Sequence, residues 1–143
     1  MGDQLTVKIY ATGLEPNELH PQHIHGFMEN NRNSKCPTAS ADDNGDGFVS
    51  VGEGAPFYGG ILLPLVYDVN DPLSFPVADE NGVIDFEMTY TVNSSITPLQ
   101  NTAIVLHGMT VEDYENADGD TVSGYIITLP VACGQVSPDQ GKK

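Results

Sequence analysis

The stretch Val83-Ile84-Asp85-Phe86-Glu87-Met88-Thr89-Tyr90-Thr91-Val92 decides the fold. From Ile84 onward every second side chain is apolar, and carboxylates or threonines stand between. Successive side chains of an extended chain point to opposite faces, so this segment has one face for a core and one for water. It reads as a half-buried antiparallel strand, started by the turn residues Asp79-Glu80-Asn81-Gly82. Residues 5–10 alternate in the same way, and the shorter apolar runs 60–67, 103–106 and 125–131 read as further strands. Fifteen glycines and ten prolines punctuate the chain, and no apolar pattern of helical period lasts three turns, so helices are minor. The expected fold is an all-β Greek-key barrel or sandwich of about eight antiparallel strands, in one domain over residues 1–143. Residues 30–55 and 110–121 are too long and polar for hairpin turns and read as two long loops, where function tends to sit.

Among 143 residues, Lys and Arg number 5 and Asp and Glu 20, a net charge of −15. Nucleic acid and anionic membrane surfaces are excluded as partners by that charge, while cations are attracted. No run approaches the roughly 20 apolar residues of a bilayer-spanning helix. The chain opens without a charged-then-apolar leader, and Met1-Gly2-Asp3 reads as a start placed after a removed one, which leaves export open. Cys36 and Cys133 are compatible with one long-loop disulfide or with two buried thiols.

All four histidines fall in two places: His20, His23 and His25 in Leu19-His-Pro-Gln-His-Ile-His-Gly26, and His107 at the end of Thr102-Ala-Ile-Val-Leu-His107. On a strand, His23 and His25 share a face and can present both imidazoles to one point, and a third from a neighbouring strand would complete a three-nitrogen metal site. Nitrogen donors of this kind favour copper, zinc or nickel over hard ions.

Several of these segments together resemble the copper/zinc superoxide dismutase family. Gly13-Leu14 with His20-Pro-Gln-His23-Ile24-His25 is similar to that family's Gly-Leu-x-x-Gly-x-His-Gly-Phe-His-Val-His signature. Ala78-Asp79-Glu80-Asn81-Gly82-Val83, Ala103-Ile-Val-Leu-His107 and Val131-Ala132-Cys133-Gly134-Gln135-Val136 resemble its later landmarks in the same order. The resemblance implies copper ligation by His23, His25 and His107, a bracing role for His20 beside the site, and a Cys36–Cys133 disulfide. It also implies a secreted, periplasmic or cell-surface location, because disulfides persist in oxidising compartments.

Departures from the family are equally specific. The family's bridging histidine lies six residues after the first cysteine, where this chain has Asp42, and no histidine occurs between His25 and His107, so no zinc is expected. Instead, Asp42-Asp43-Asn44-Gly45-Asp46-Gly47-Phe48-Val49-Ser50-Val51-Gly52-Glu53 matches the EF-hand calcium loop. Asp42, Asn44, Asp46, the Phe48 carbonyl, Ser50 and Glu53 are the expected calcium ligands, in a loop read as having no flanking helices. Calcium is thus expected to replace zinc as the ion that orders this segment. The arginine that the family places three residues before its last cysteine to attract superoxide is Pro130 here, and residues 111–120 are acidic.

Asp113, Glu115, Asp118 and Asp120 read more readily as a solvated face than as a second cation site. Met28 and Met109 flank the histidines as weak candidates for Cu(I), with core packing the commoner role. Asn93-Ser94-Ser95 is a glycosylation sequon. Three functions fit this pattern: a copper-binding, zinc-free relative of the superoxide dismutases with slow turnover of superoxide; a copper storage or carrier protein; and a calcium-stabilised structural or adhesion domain akin to chordin-type domains. Hydrolytic chemistry is disfavoured, since no Gly-x-Ser-x-Gly elbow is present.

Overall fold

The computed structural model describes residues 3–27, 33–92, 99–116 and 118–136. Their strands are β1 (Asp3–Ala11), β2 (Gln22–Gly26), β3 (Gly60–Pro64), β4 (Ile84–Val92), β5 (Ala103–Glu115) and β6 (Thr121–Gln135), with one α-helix, α1 (Val51–Tyr58), and short 3-10 turns at Ala39–Ala41 and Leu99–Asn101. All pairings are antiparallel. β1 and β4 form one sheet, and the other has the order β3-β2-β5-β6. The alternation of residues 84–92 does what it predicts: Ile84, Phe86 and Tyr90 of β4 join Val7 of β1 in one core, facing Ile24 of β2 and Leu106 of β5. The chain is therefore an all-β sandwich. Six strands form among the described residues, against about eight expected, and the sheets do not close into a barrel.

Three expectations are corrected in detail. β3 ends at Pro64 rather than reaching residue 67; Leu65 still donates its N–H to Gln22, but the chain then turns through Asp68 and Asp71, whose side chains cap local amides. Residues 110–121 are mostly strand, with only a short turn around Asn116 joining β5 to β6. Their acidic composition concealed a bulge between Val111 and Tyr114 that turns both side chains inward, onto Leu129 with Phe48 packed against them. Finally, the loop read as lacking flanking helices runs directly into α1. That helix is invisible to periodicity because it has only eight residues, including two glycines and Pro56. What starts it is a capping box: the Ser50 side chain accepts from the Glu53 N–H while the Glu53 carboxylate accepts from the Ser50 N–H.

Because Ile24, Leu106 and Ile104 point into the sandwich, the alternate residues of β2 and β5 point outward. Pro64, His23, Val105 and Cys133 form one row across β3, β2, β5 and β6 on that outer face. The segment leading through α1 is fastened to it by the Cys36–Cys133 disulfide, which joins residues 97 apart. Val105 and Tyr58 are consequently fully buried. The pairing that the family resemblance implied is thus present, and no free cysteine remains.

Candidate metal centre

His23 and His25 project from β2 on the outer face, with Ile24 between them committed to the core. β5 lies alongside, and because Leu106 faces the core the next residue, His107, falls on the same outer face as His23 and His25. The His107 N–H meanwhile donates to the Pro21 carbonyl at 2.8 Å. Ring centroids are 5.4 Å apart for His23 and His25, 5.2 Å for His23 and His107, and 5.9 Å for His25 and His107. One nitrogen of each ring lies within 4.8 Å of the others, and the three side chains could hold a metal ion.

The hydrogen bonds identify the donor atoms. His25 donates through Nδ1 to the Gly59 carbonyl at 2.9 Å, and His107 through Nδ1 to the Thr128 carbonyl at 2.8 Å. Each bond fixes a tautomer whose Nε2 keeps its lone pair, the usual outer-partner arrangement of a metal-binding histidine. His25 Nε2, His107 Nε2 and His23 Nδ1 are all buried and have no hydrogen-bond partner among the described residues. A buried polar atom left unsatisfied costs about 1–3 kcal/mol, so three converging on one point are a cost that a bound cation removes.

Electrostatics keep the lone pairs available. Burial pushes His23 down to about 3, helped by the neighbouring His107 and His25. Burial likewise takes His107 to about 4 against the opposing bond to Thr128, and lowers His25 against its bonds to Gly59 and Gly60. All three rings are neutral at physiological pH. In the unfolded chain histidine takes up protons near 6.5 that the folded site refuses, so this contribution to stability is full above 6.5 and is lost as pH falls toward the folded values. The metal-free protein should melt at a lower temperature at about pH 5 than at about pH 7.5, and His107→Asn should narrow the difference. Thermal melts read by circular dichroism check this; an equal pH response in the variant would contradict it.

Aromatic rings wall the site: Tyr58 lies 4.6 Å from His25 and Phe75 lies 5.4 Å from His23. His20 does not join the donors. Fully buried, it sits with Nδ1 3.0 Å from the His107 carbonyl and Nε2 2.9 Å from the Glu15 carbonyl, and so braces the backbone of β5. Tyr58, Phe75 and the carbonyls of Gly59 and Thr128 were not legible as site groups, because a carbonyl partner leaves no side-chain signature. Met109 is 40 % exposed and stands opposite Ile126 on β6, and Met28 lies outside the described residues, as does the sequon at 93–95.

The loop 42–53 wraps around its own carboxylates. Asp42 accepts from the N–H groups of Gly45, Asp46 and Gly47, Asn44 from Asp46, and Asp46 from Phe48. Glu53 spans the loop, taking Ser50 N–H on Oε1 at 2.9 Å and Asp43 and Asn44 N–H on Oε2 at 2.9 and 3.2 Å. Its slight burial raises the carboxyl, but these bonds outweigh it and lower the group overall. Gly47, at φ +93°, makes the turn that an L side chain would resist. These carboxylates gather less tightly than the histidines: among the described residues His23, His25 and His107 are the one group of three His, Cys, Asp or Glu side chains with ligand atoms within 4.8 Å of one another. Among the described residues of 113–120 the acidic groups form no second cluster; Asn116 instead caps the turn by accepting from Asp118 and Asp120.

Compared with family models, with curated proteins and with solved structures, the chain finds no match. The candidate metal site accordingly rests on its own geometry.

Proposed function

We propose that this chain is an exported copper-binding protein of the superoxide dismutase-like type, with copper on His23 Nδ1, His25 Nε2 and His107 Nε2 and calcium in the loop 42–53. The single observation that carries the copper site is the set of three buried, unpartnered imidazole nitrogens aimed at one point. Both thiols are consumed in the disulfide and no carboxylate belongs to the trio, which leaves a neutral all-nitrogen donor set. Among divalent first-row ions such donors bind copper most tightly. Copper held by His23, His25 and His107 would supply one-electron chemistry suited to superoxide. The chain's part is to hold the donors in fixed tautomers through Gly59 and Thr128 and to shield them with Tyr58 and Phe75.

The field works against fast turnover. A net charge of −15 repels an anionic substrate, where a favourable field would raise association by roughly 10–1,000-fold. The same charge favours a second reading, a copper carrier that uses these histidines without turnover. Superoxide decay separates the two: the enzyme reading predicts a copper-loaded rate above that of His107→Ala, and equal rates would leave the carrier.

Calcium is supported by the loop's spacing, by the turn at Gly47 and by the Glu53 side chain, which reaches from the first turn of α1 back to the loop's start at Asp43. A ligand held at about 100 times its dissociation constant stabilises by about 2.7 kcal/mol, or several degrees in a domain of this size. Chelation of calcium should therefore lower the melting temperature by several degrees, measured by differential scanning calorimetry. An unchanged melting curve would overturn the calcium assignment.

A further inference from the structure

α1 is a poor helix by composition. Gly52 and Gly54 each weaken it, and Pro56 removes one helical hydrogen bond. Eight residues of this kind do not hold together alone. The helix therefore depends on its two ends, and each end belongs to a different site. At its start, Ser50 and Glu53 form the capping box, and both are ligand positions of the loop 42–53. At its finish, the Tyr58 ring packs on His25 and the Gly59 carbonyl receives the His25 Nδ1–H. Gly59 has φ +85°, and any Cβ there would collide with the Gly26 backbone on β2, so the close approach that delivers this carbonyl admits glycine alone.

A second tie runs to the other donor strand. Asp46 Oδ2 accepts from the Glu115 N–H of β5 at 2.9 Å, and Phe48 packs on Tyr114 with ring centroids 6.0 Å apart. The loop thus touches β5, which carries His107, and continues into the group that orients His25.

We infer that the loop and the three-histidine centre are one coupled unit, in which a divalent cation of calcium type in the loop firms α1, holds the Gly59 carbonyl on His25 and so tightens copper binding. The coupling rests on the calcium reading above, and linkage makes it reciprocal: copper must tighten calcium by the same factor. Disorder in α1 would free His25 to turn away, so the population competent to bind copper falls when the helix frays.

The test is a copper titration of the metal-free protein against a competing chelator, in calcium-free buffer and with saturating calcium, alongside calorimetric measurement of calcium uptake. Calcium should tighten copper by a factor in the usual allosteric range, about 5–150-fold, and should change the Cu(II) electron paramagnetic resonance spectrum. In Glu53→Gln and in Asp42→Asn the copper affinity should no longer respond to calcium. Calcium uptake with unchanged copper affinity and spectrum would overturn the coupling and leave the calcium site standing. No calcium uptake would overturn both.

Discussion

His107→Ala is expected to lose copper from a protein that stays folded. The His107 ring is one of the three proposed donors, while its backbone N–H bond to Pro21 and the strand pairing of β5 are features that survive the change. Removing a group that merely orients a ligand costs roughly 10–100-fold in metal affinity, so removing the ligand itself should cost more than 100-fold. The substitution also deletes a buried nitrogen with no partner, which offsets part of the cavity left behind. Competition titration with a Cu(I) chelator, beside a thermal melt, separates lost ligation from lost folding. A folded variant with undiminished copper affinity would mean that the donor set is wrong.

The second large effect concerns stability. Cys36→Ser with Cys133→Ser opens a loop of 97 residues, for which the chain-entropy estimate is between about 4 and 5 kcal/mol. In a domain of this size that corresponds to a fall in melting temperature of roughly 10 °C or more. The disulfide also pins the segment that carries α1 against the row of Val105 and His23, so the double variant should release copper faster as well as melt earlier. A melting temperature unchanged from the parent protein would contradict this account of the fastening.

The strands were legible where burial is one-sided. Residues 84–92 and 5–10 alternate because one face meets the opposing sheet and the other meets water. The three histidines were legible for a related reason: an i, i+2 pair on a strand shares a face whatever the rest of the fold. Legibility failed where local order comes from caps and bulges. α1 is held by a capping box and by the burial of Tyr58 rather than by an apolar stripe. The end of β5 is a strand because a bulge, with Asp113 at positive φ, lets Val111 and Tyr114 both face inward. A pattern of period two cannot register that break. Which nitrogen of each ring is free was also hidden in the sequence, since it is set by the backbone carbonyls of Gly59 and Thr128.

The central claim, a copper centre on three imidazoles, is tested most directly by copper content. The metal-free protein is loaded with copper, passed through a desalting column and analysed for copper, calcium and zinc. The account predicts one copper per chain, no zinc, and Cu(II) hyperfine structure from nitrogen ligands that is lost together with the copper in His107→Ala. A protein that emerges without copper, or that keeps a full equivalent in His107→Ala, would contradict it.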